Sequence, residues 1–122
     1  DAIFDAGVKE RFSTLTNATG TVDHDCDLGH IFYHTSPVSD FTANLINLDL
    51  STNYGSTITL IISQGATARI VTSLQIEGSA QTINWQGGSP PTGTNNGVDA
   101  LSFTVLRVGG SYVVMGQLVD FA

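Results

Sequence analysis

Apolar and polar side chains alternate with period two through much of the chain, and apolar positions do not recur at helical spacing, so extended strands are expected throughout. Ile58, Leu60 and Ile62 alternate with Thr57, Thr59 and Ser63, with Ile61 as the exception, which predicts a strand. Ile70, Leu74 and Ile76 share one face while Ser73, Gln75 and Glu77 take the other. After Gly78-Ser79 the alternation resumes with Ile83 and Trp85, so this pair of segments predicts a hairpin. A second hairpin is expected where Leu101, Phe103 and Val105 run into Gly109-Gly110 and the chain returns from Tyr112 to Phe121. Less regular strands are expected over residues 20–25, 31–36 and 41–48. The apolar phase slips near Leu45-Ile46, as a bulge or burial on both faces would make it do. The fold class is therefore all-β, and seven to nine short strands predict an antiparallel β-sandwich of jelly-roll type.

Length and composition narrow this further. At 122 residues the chain is long enough for one domain with its own core, which is placed over residues 18–122. Residues 1–17 are expected to be an N-terminal connector or a first strand. Fifteen threonines and eleven serines suit the solvent side of strands, where a β-branched hydroxyl residue fits a pleated surface. The net charge of -7 repels phosphate, so no nucleic-acid partner is expected. No apolar run is long enough to cross a bilayer as a helix, and no membrane partner is expected. A single cysteine, Cys26, excludes an internal disulfide framework. The start at Asp1 and the lone Met115 lead to the expectation that the chain is a processed product or part of a longer polypeptide.

The densest polar constellation is Asp23-His24-Asp25-Cys26-Asp27-Leu28-Gly29-His30, followed by His34. The alternating aspartates resemble the opening of a calcium loop. However, the glycine falls one place late and the twelfth position is His34 rather than a bidentate glutamate. His24, Cys26, His30 and His34 have the ligand types of a zinc or iron site but lack paired cysteine spacing. The preferred reading has Cys26 as a small buried hydrophobe and the histidines as hydrogen-bonded strand and turn residues, with no metal and no cofactor. If the segment is a strand, Asp23, Asp25 and Asp27 point outward, and His24, Cys26 and Leu28 point inward. No Gly-x-Ser-x-Gly elbow surrounds a serine, and Asp25 and Asp27 beside Cys26 would blunt its thiolate. The aspartates show no pairing suited to sugar hydrolysis, and neither a phosphate loop nor a dinucleotide fingerprint occurs. No catalytic residues are assigned, and no enzymatic activity is expected.

Contact residues are sought instead among loops and exposed rings. Residues 87–97 carry no apolar side chain other than two prolines, which predicts a long surface loop offering Ser89, Pro90, Pro91, Thr92, Asn95 and Asn96. Tyr54, in the turn Asn53-Tyr54-Gly55, is the ring expected to be exposed, whereas Trp85, in phase with Ile83, is expected in the core.

The run Gly29-His30-Ile31-Phe32-Tyr33-His34-Thr35-Ser36-Pro37, followed by Phe41-Thr42-Ala43-Asn44, resembles a segment of virion structural proteins of marine tailed phages, especially those infecting cyanobacteria. Similar stretches follow in the same order: Gln64-Gly65-Ala66-Thr67-Ala68, then Gln81-Thr82-Ile83-Asn84-Trp85-Gln86-Gly87-Gly88-Ser89-Pro90-Pro91-Thr92-Gly93. Ser102-Phe103-Thr104 and Gly116-Gln117-Leu118 complete the series. The resemblance covers the chain from about Val8 to its end. It implies a C-terminal β-domain located on the virion, as a fibre, appendage or capsid-decoration module concerned with assembly and host adhesion. It also implies self-association as a homotrimer, contact with other virion proteins, and a host-surface glycan as a further partner. The alternative is a carbohydrate- or ligand-binding β-sandwich with no viral association, using Tyr54 and the Pro-Gly loop.

Overall fold

The computed structural model describes residues 9–122. Ten strands follow in chain order: β1 (Phe12–Thr16), β2 (Gly20–Asp25), β3 (Ile31–Thr35), β4 (Phe41–Ile46), β5 (Gly55–Ser63), β6 (Val71–Ile76), β7 (Ser79–Gln81), β8 (Ile83–Trp85), β9 (Val98–Val108) and β10 (Ser111–Phe121). Single 3₁₀ turns occupy Cys26–Leu28 and Gln86–Gly88. The strands form a six-stranded sheet in the order β1-β3-β5-β9-β10-β8 and a four-stranded sheet in the order β2-β4-β6-β7.

The all-β class holds, but the antiparallel arrangement does not. Five of the eight strand pairings are parallel: β1–β3, β3–β5, β2–β4, β4–β6 and β8–β10. From β1 to β6 each strand crosses to the opposite sheet, and the next crosses back to lie parallel beside the strand two before it. Parallel neighbours cannot be joined by a tight hairpin, and here the required long connection is a strand of the other sheet. The result is a short coil of stacked rungs. Period-two alternation is blind to this difference, because it reports which face a side chain takes and not the direction of the neighbouring strand. The rungs are also unequal in length. Register places Phe12 beside Ile31 and Ile31 beside Thr59, spacings of 19 and 28 residues, so no fixed repeat is visible in the sequence.

The corners of the coil stack as its strands do. Thr16 and Thr35 are register partners, and each is followed by a residue at positive φ, Asn17 at 57° and Ser36 at 50°. Asn17 N–H donates to the Thr35 carbonyl, and Val38 N–H donates to the Ala18 carbonyl of the preceding rung. At the opposite corner Gly29 has φ of 120°, and a Cβ there would lie 2.4 Å from the Arg11 carbonyl oxygen, so only glycine fits.

Antiparallel strands end the coil. In the large sheet β9 lies antiparallel to β5 and turns through Gly109-Gly110 into β10, as alternation predicted. In the small sheet β6 turns at Glu77-Gly78 into β7. The hairpin expected between residues 70–76 and 83–85 is therefore shorter than expected. β8 leaves for the other sheet, where its apolar Ile83 and Trp85 sit beside Val114 and Gly116 of β10. The expected phase slip at Leu45-Ile46 also moves. Leu45 is buried and Ile46 half-buried in a regular strand, and the irregular register falls at Phe41/Thr42, where Thr72 is the extra residue of β6.

Inward residues of both sheets make one core, including Phe32, Phe41, Leu45, Ile58, Leu60, Ile62, Leu74, Leu101, Phe103 and Val105. Burying such a side chain contributes roughly 1.5–3 kcal/mol each. Trp85 is half-buried and meets Phe103 edge-on at 5.7 Å, lying over Gly116, whose missing side chain makes room for the indole. Within the span 1–17 expected as a connector or a first strand, Phe12–Thr16 is a full member of the large sheet, while residues 1–8 lie outside the described residues.

Candidate functional site

The contact residues proposed from sequence fall into two places. Tyr54 is exposed at 67 % and sits at the end of the large sheet where the β9–β10 hairpin turns, since Asn53 N–H donates to the Arg107 carbonyl and Arg107 N–H to the Tyr54 carbonyl. Residues 89–96 precede the first residue of β9, at its opposite end. Eleven strand residues separate the two ends by roughly 30 Å, so Tyr54 and the Pro-Gly loop cannot line one small-ligand site.

The loop is anchored internally. Asp99, fully buried at the start of β9, accepts hydrogen bonds from Gln64 Nε2 at 3.0 Å, Thr94 N–H at 2.8 Å and Thr94 Oγ1–H at 2.8 Å. Asn95 Oδ1 accepts from Ala68 N–H, and Asn96 N–H donates to the Gly65 carbonyl. Asn95 is thus engaged in fixing the loop although it stays exposed, as do Ser89, Pro90, Thr92 and Asn96, and Pro91 is half-buried. The stretch 64–69, which holds this loop in place, enters the sequence reading only through the resemblance at Gln64 to Ala68 and not as an anchor for the loop. A carboxylate in the otherwise apolar inward series Asp99, Leu101, Phe103, Val105 was the available signal, because a charge on a buried face requires local donors.

Of the four metal-ligand candidates the fold brings His24 and His34 together. His24 comes from β2 in the small sheet and His34 from β3 in the large sheet, and both are fully buried. Their Nε2 atoms are 2.8 Å apart, and His24 Nδ1 lies 2.9 Å from the Val22 carbonyl oxygen. That carbonyl requires a proton on His24 Nδ1, so His24 Nε2 accepts from His34 Nε2–H. His34 Nδ1 is then a buried lone pair with no partner. The rings pack on Phe32 and Phe41. Burial lowers the pKa of each histidine to about 4; for His24 the Val22 carbonyl and Asp23 oppose the shift, and for His34 the neighbouring His24 adds to it.

Cys26 is buried nearby, with its Sγ 3.7 Å from the His24 carbonyl oxygen. Desolvation first, then the charges of Asp25, Glu77 and Asp27, push its thiol up to about 12, which makes it a poor nucleophile and a poor ligand at neutral pH. His30 lies elsewhere, with Nδ1 2.8 Å from Ser56 Oγ. Among the described residues no group of three His, Cys, Asp or Glu side chains is placed to hold a metal ion.

Asp23 and Asp25 do point outward on the small sheet, where Asn44 and Asn47 donate to them. Alternation fails just beyond, because the strand stops at Asp25 and the following 3₁₀ turn leaves Leu28 exposed instead of inward.

Two open grooves mark the described surface. One, about 450 Å³, lies on the outer side of β8, β9 and β10 and is lined by Asn84, Gln86, Ser102, Thr104, Met115 and Gln117, among others. The other, about 480 Å³, lies beside the β9–β10 turn and is lined by Ser79, Gln81, Thr82, Ser111 and Tyr112. Ala80 and Gly110 complete this second lining; every other side chain in it carries a hydroxyl or an amide, and none carries a charge. Tyr112 is held by Arg107, whose Nη1 donates to its hydroxyl at 2.9 Å and whose guanidinium sits 4.9 Å from the ring centroid. Neither groove was legible in the sequence, because each joins strands distant along the chain. Comparison with protein-family models, with curated proteins and with solved structures finds no match for this chain.

Proposed function

We propose that this chain is a non-enzymatic structural module of a phage virion, a fibre, appendage or head-surface decoration domain. Its work is assembly, as a homotrimer in contact with other virion proteins, together with adhesion to the host. The observation that carries the reading is the parallel coil closed by antiparallel strands. Stacked rungs hold one another through continuous ladders and a shared core, a construction suited to a rigid building element. The resemblance of its motif order to that of phage virion proteins, read from the sequence, is in line with this reading. Two sheets over one core favour a sandwich, though one whose strands coil instead of following a jelly-roll path. The test is proteomic analysis of purified particles whose genome encodes the chain, with antibody labelling in the electron microscope. Peptides from intact particles and label on tails or heads are expected, and absence from particles with abundance in infected-cell extract would refute the reading.

One observation favours a second reading, a glycan-binding module. The uncharged groove beside the β9–β10 turn lies at the end of the sheet that also exposes Tyr54, and neutral hydroxyls and amides with an aromatic ring match the chemistry of neutral sugars. Glycan-array binding lost in both Tyr54→Ala and Gln81→Ala, and retained in Thr92→Ala at the opposite end, is the expected pattern. Binding lost only in Thr92→Ala would return attention to the Pro-Gly loop.

A further inference from the structure

Apolar exposure on the described surface is concentrated on one face. Of eleven exposed large hydrophobic residues, eight lie on the outer side of the six-stranded sheet: Phe12 on β1, Val98, Leu106 and Val108 on β9, and Val113, Met115, Val119 and Phe121 on β10. Register extends the apolar surface inward, since Val119 sits beside Ala100, Ala100 beside Ile61, and Ile61 beside Tyr33. The remaining outward positions of this sheet are Thr, Ser, Gly, Gln, Asn and Ile31, and none carries a charge. The small sheet is the opposite case, with Asp23 and Asp25 on its outer side and Glu77 at the turn that follows β6.

In a chain of net charge -7, a whole sheet face without charge is where two like-charged copies can approach without repulsion. Its size is also sufficient. The strands of this sheet, at about 3.3 Å per residue and 4.8 Å between strands, cover roughly 700 Å², close to the 800 Å² or so that each partner buries in a stable interface. The groove over Met115 and Gln117 gives this otherwise even face a concavity that a neighbour's side chains can fill.

We propose that the outer face of the six-stranded sheet is the surface on which a second copy of this chain docks, with β9 and β10 at the centre of the contact. The proposal rests on the self-association contained in the structural reading and specifies the surface that performs it.

The test is sedimentation and light scattering of the 122-residue chain across the micromolar range, alongside Val119→Lys, Met115→Lys and, on the small sheet, Thr21→Lys. Each lysine reduces the net negative charge by the same amount, so bulk repulsion falls equally and only position differs. Association of the wild type and of Thr21→Lys is expected, with at least about tenfold weaker association in the two β10 variants, as for charges placed in an interface core. Association that survives both β10 variants overturns the assignment of the face while leaving self-association standing. A strictly monomeric wild type overturns both. If the lysine variants lose their β-sheet circular dichroism, Val113→Cys provides the readout, since the native Cys26 is buried. Its alkylation must slow as protein concentration rises, and a rate independent of concentration refutes the proposal.

Discussion

The His24–His34 pair concentrates the most chemistry in the smallest space, and its consequence is for stability. Both rings are neutral when folded, with pKa values lowered from 6.5 to about 4. The unfolded chain therefore binds more protons between those values. Stability supplied by the neutral pair is fully present above pH 6.5 and is lost as pH falls toward 4, by an amount on the order of several kcal/mol. Urea midpoints at pH 7, 5.5 and 4 should fall steeply in the wild type and much less in a His24→Leu/His34→Leu double variant; equal slopes would remove the pair as the cause. The pair was only half legible. The sequence marks two histidines near Cys26, but a ring–ring hydrogen bond between sheets depends on β2 and β3 facing each other across the core. Asp99 makes a second residue-scale prediction. Asp99→Ala leaves the Gln64 amide and two Thr94 donors without their acceptor, a loss of about 2–4 kcal/mol. Limited proteolysis should then cut within residues 87–97, where the wild type resists.

At the scale of elements, strand positions were largely legible and strand partners were not. The spans 20–25, 31–36 and 41–48 contain β2, β3 and β4, because alternation with a greasy inner face is a local property. β8 shows what locality misses. Its three residues continue the alternation after β7, yet they pair with β10, some thirty residues away, because Trp85 fits over Gly116 and against Phe103. Gly116→Val would place side-chain atoms within 3 Å of the indole, at a cost of about 1–3 kcal/mol. Trp85 is the only tryptophan, so its fluorescence should shift to the red as β8 lifts, while circular dichroism keeps its β-sheet form. Unchanged emission would contradict the packing described. Gly29→Ala tests the corner between β2 and β3, where positive φ and the Arg11 carbonyl both exclude a methyl group. A lower urea midpoint is expected, and a midpoint equal to the wild type would deny that the corner is tight.

At the scale of the whole molecule, charge and shape act together. Among the described residues none of the nine acidic side chains takes an outward strand position of the large sheet, so repulsion between copies of this chain, of net charge -7, is long-range while the docking surface itself is neutral. Raising ionic strength from 0.01 to 0.15 M shortens the screening length from about 30 to about 8 Å. Self-association should therefore strengthen with salt, and analytical ultracentrifugation that shows weakening would point to ion pairs in the contact instead. The same scale decides the candidate contacts, because β9 sets Tyr54 and the Pro-Gly loop at opposite ends of one sheet.

By itself the sequence determined that the chain is built of strands, which side chains turn inward along them, and where the β9–β10 hairpin lies, since each follows from residues within a few positions of one another. The tertiary structure decided that neighbouring strands run parallel within each sheet while the chain crosses between sheets, that two histidines meet in the core, and that the exposed apolar residues gather on one uncharged face. These features join residues 10 to 100 positions apart through rungs of unequal length, and alternation along a single strand carries no record of the strand that lies beside it.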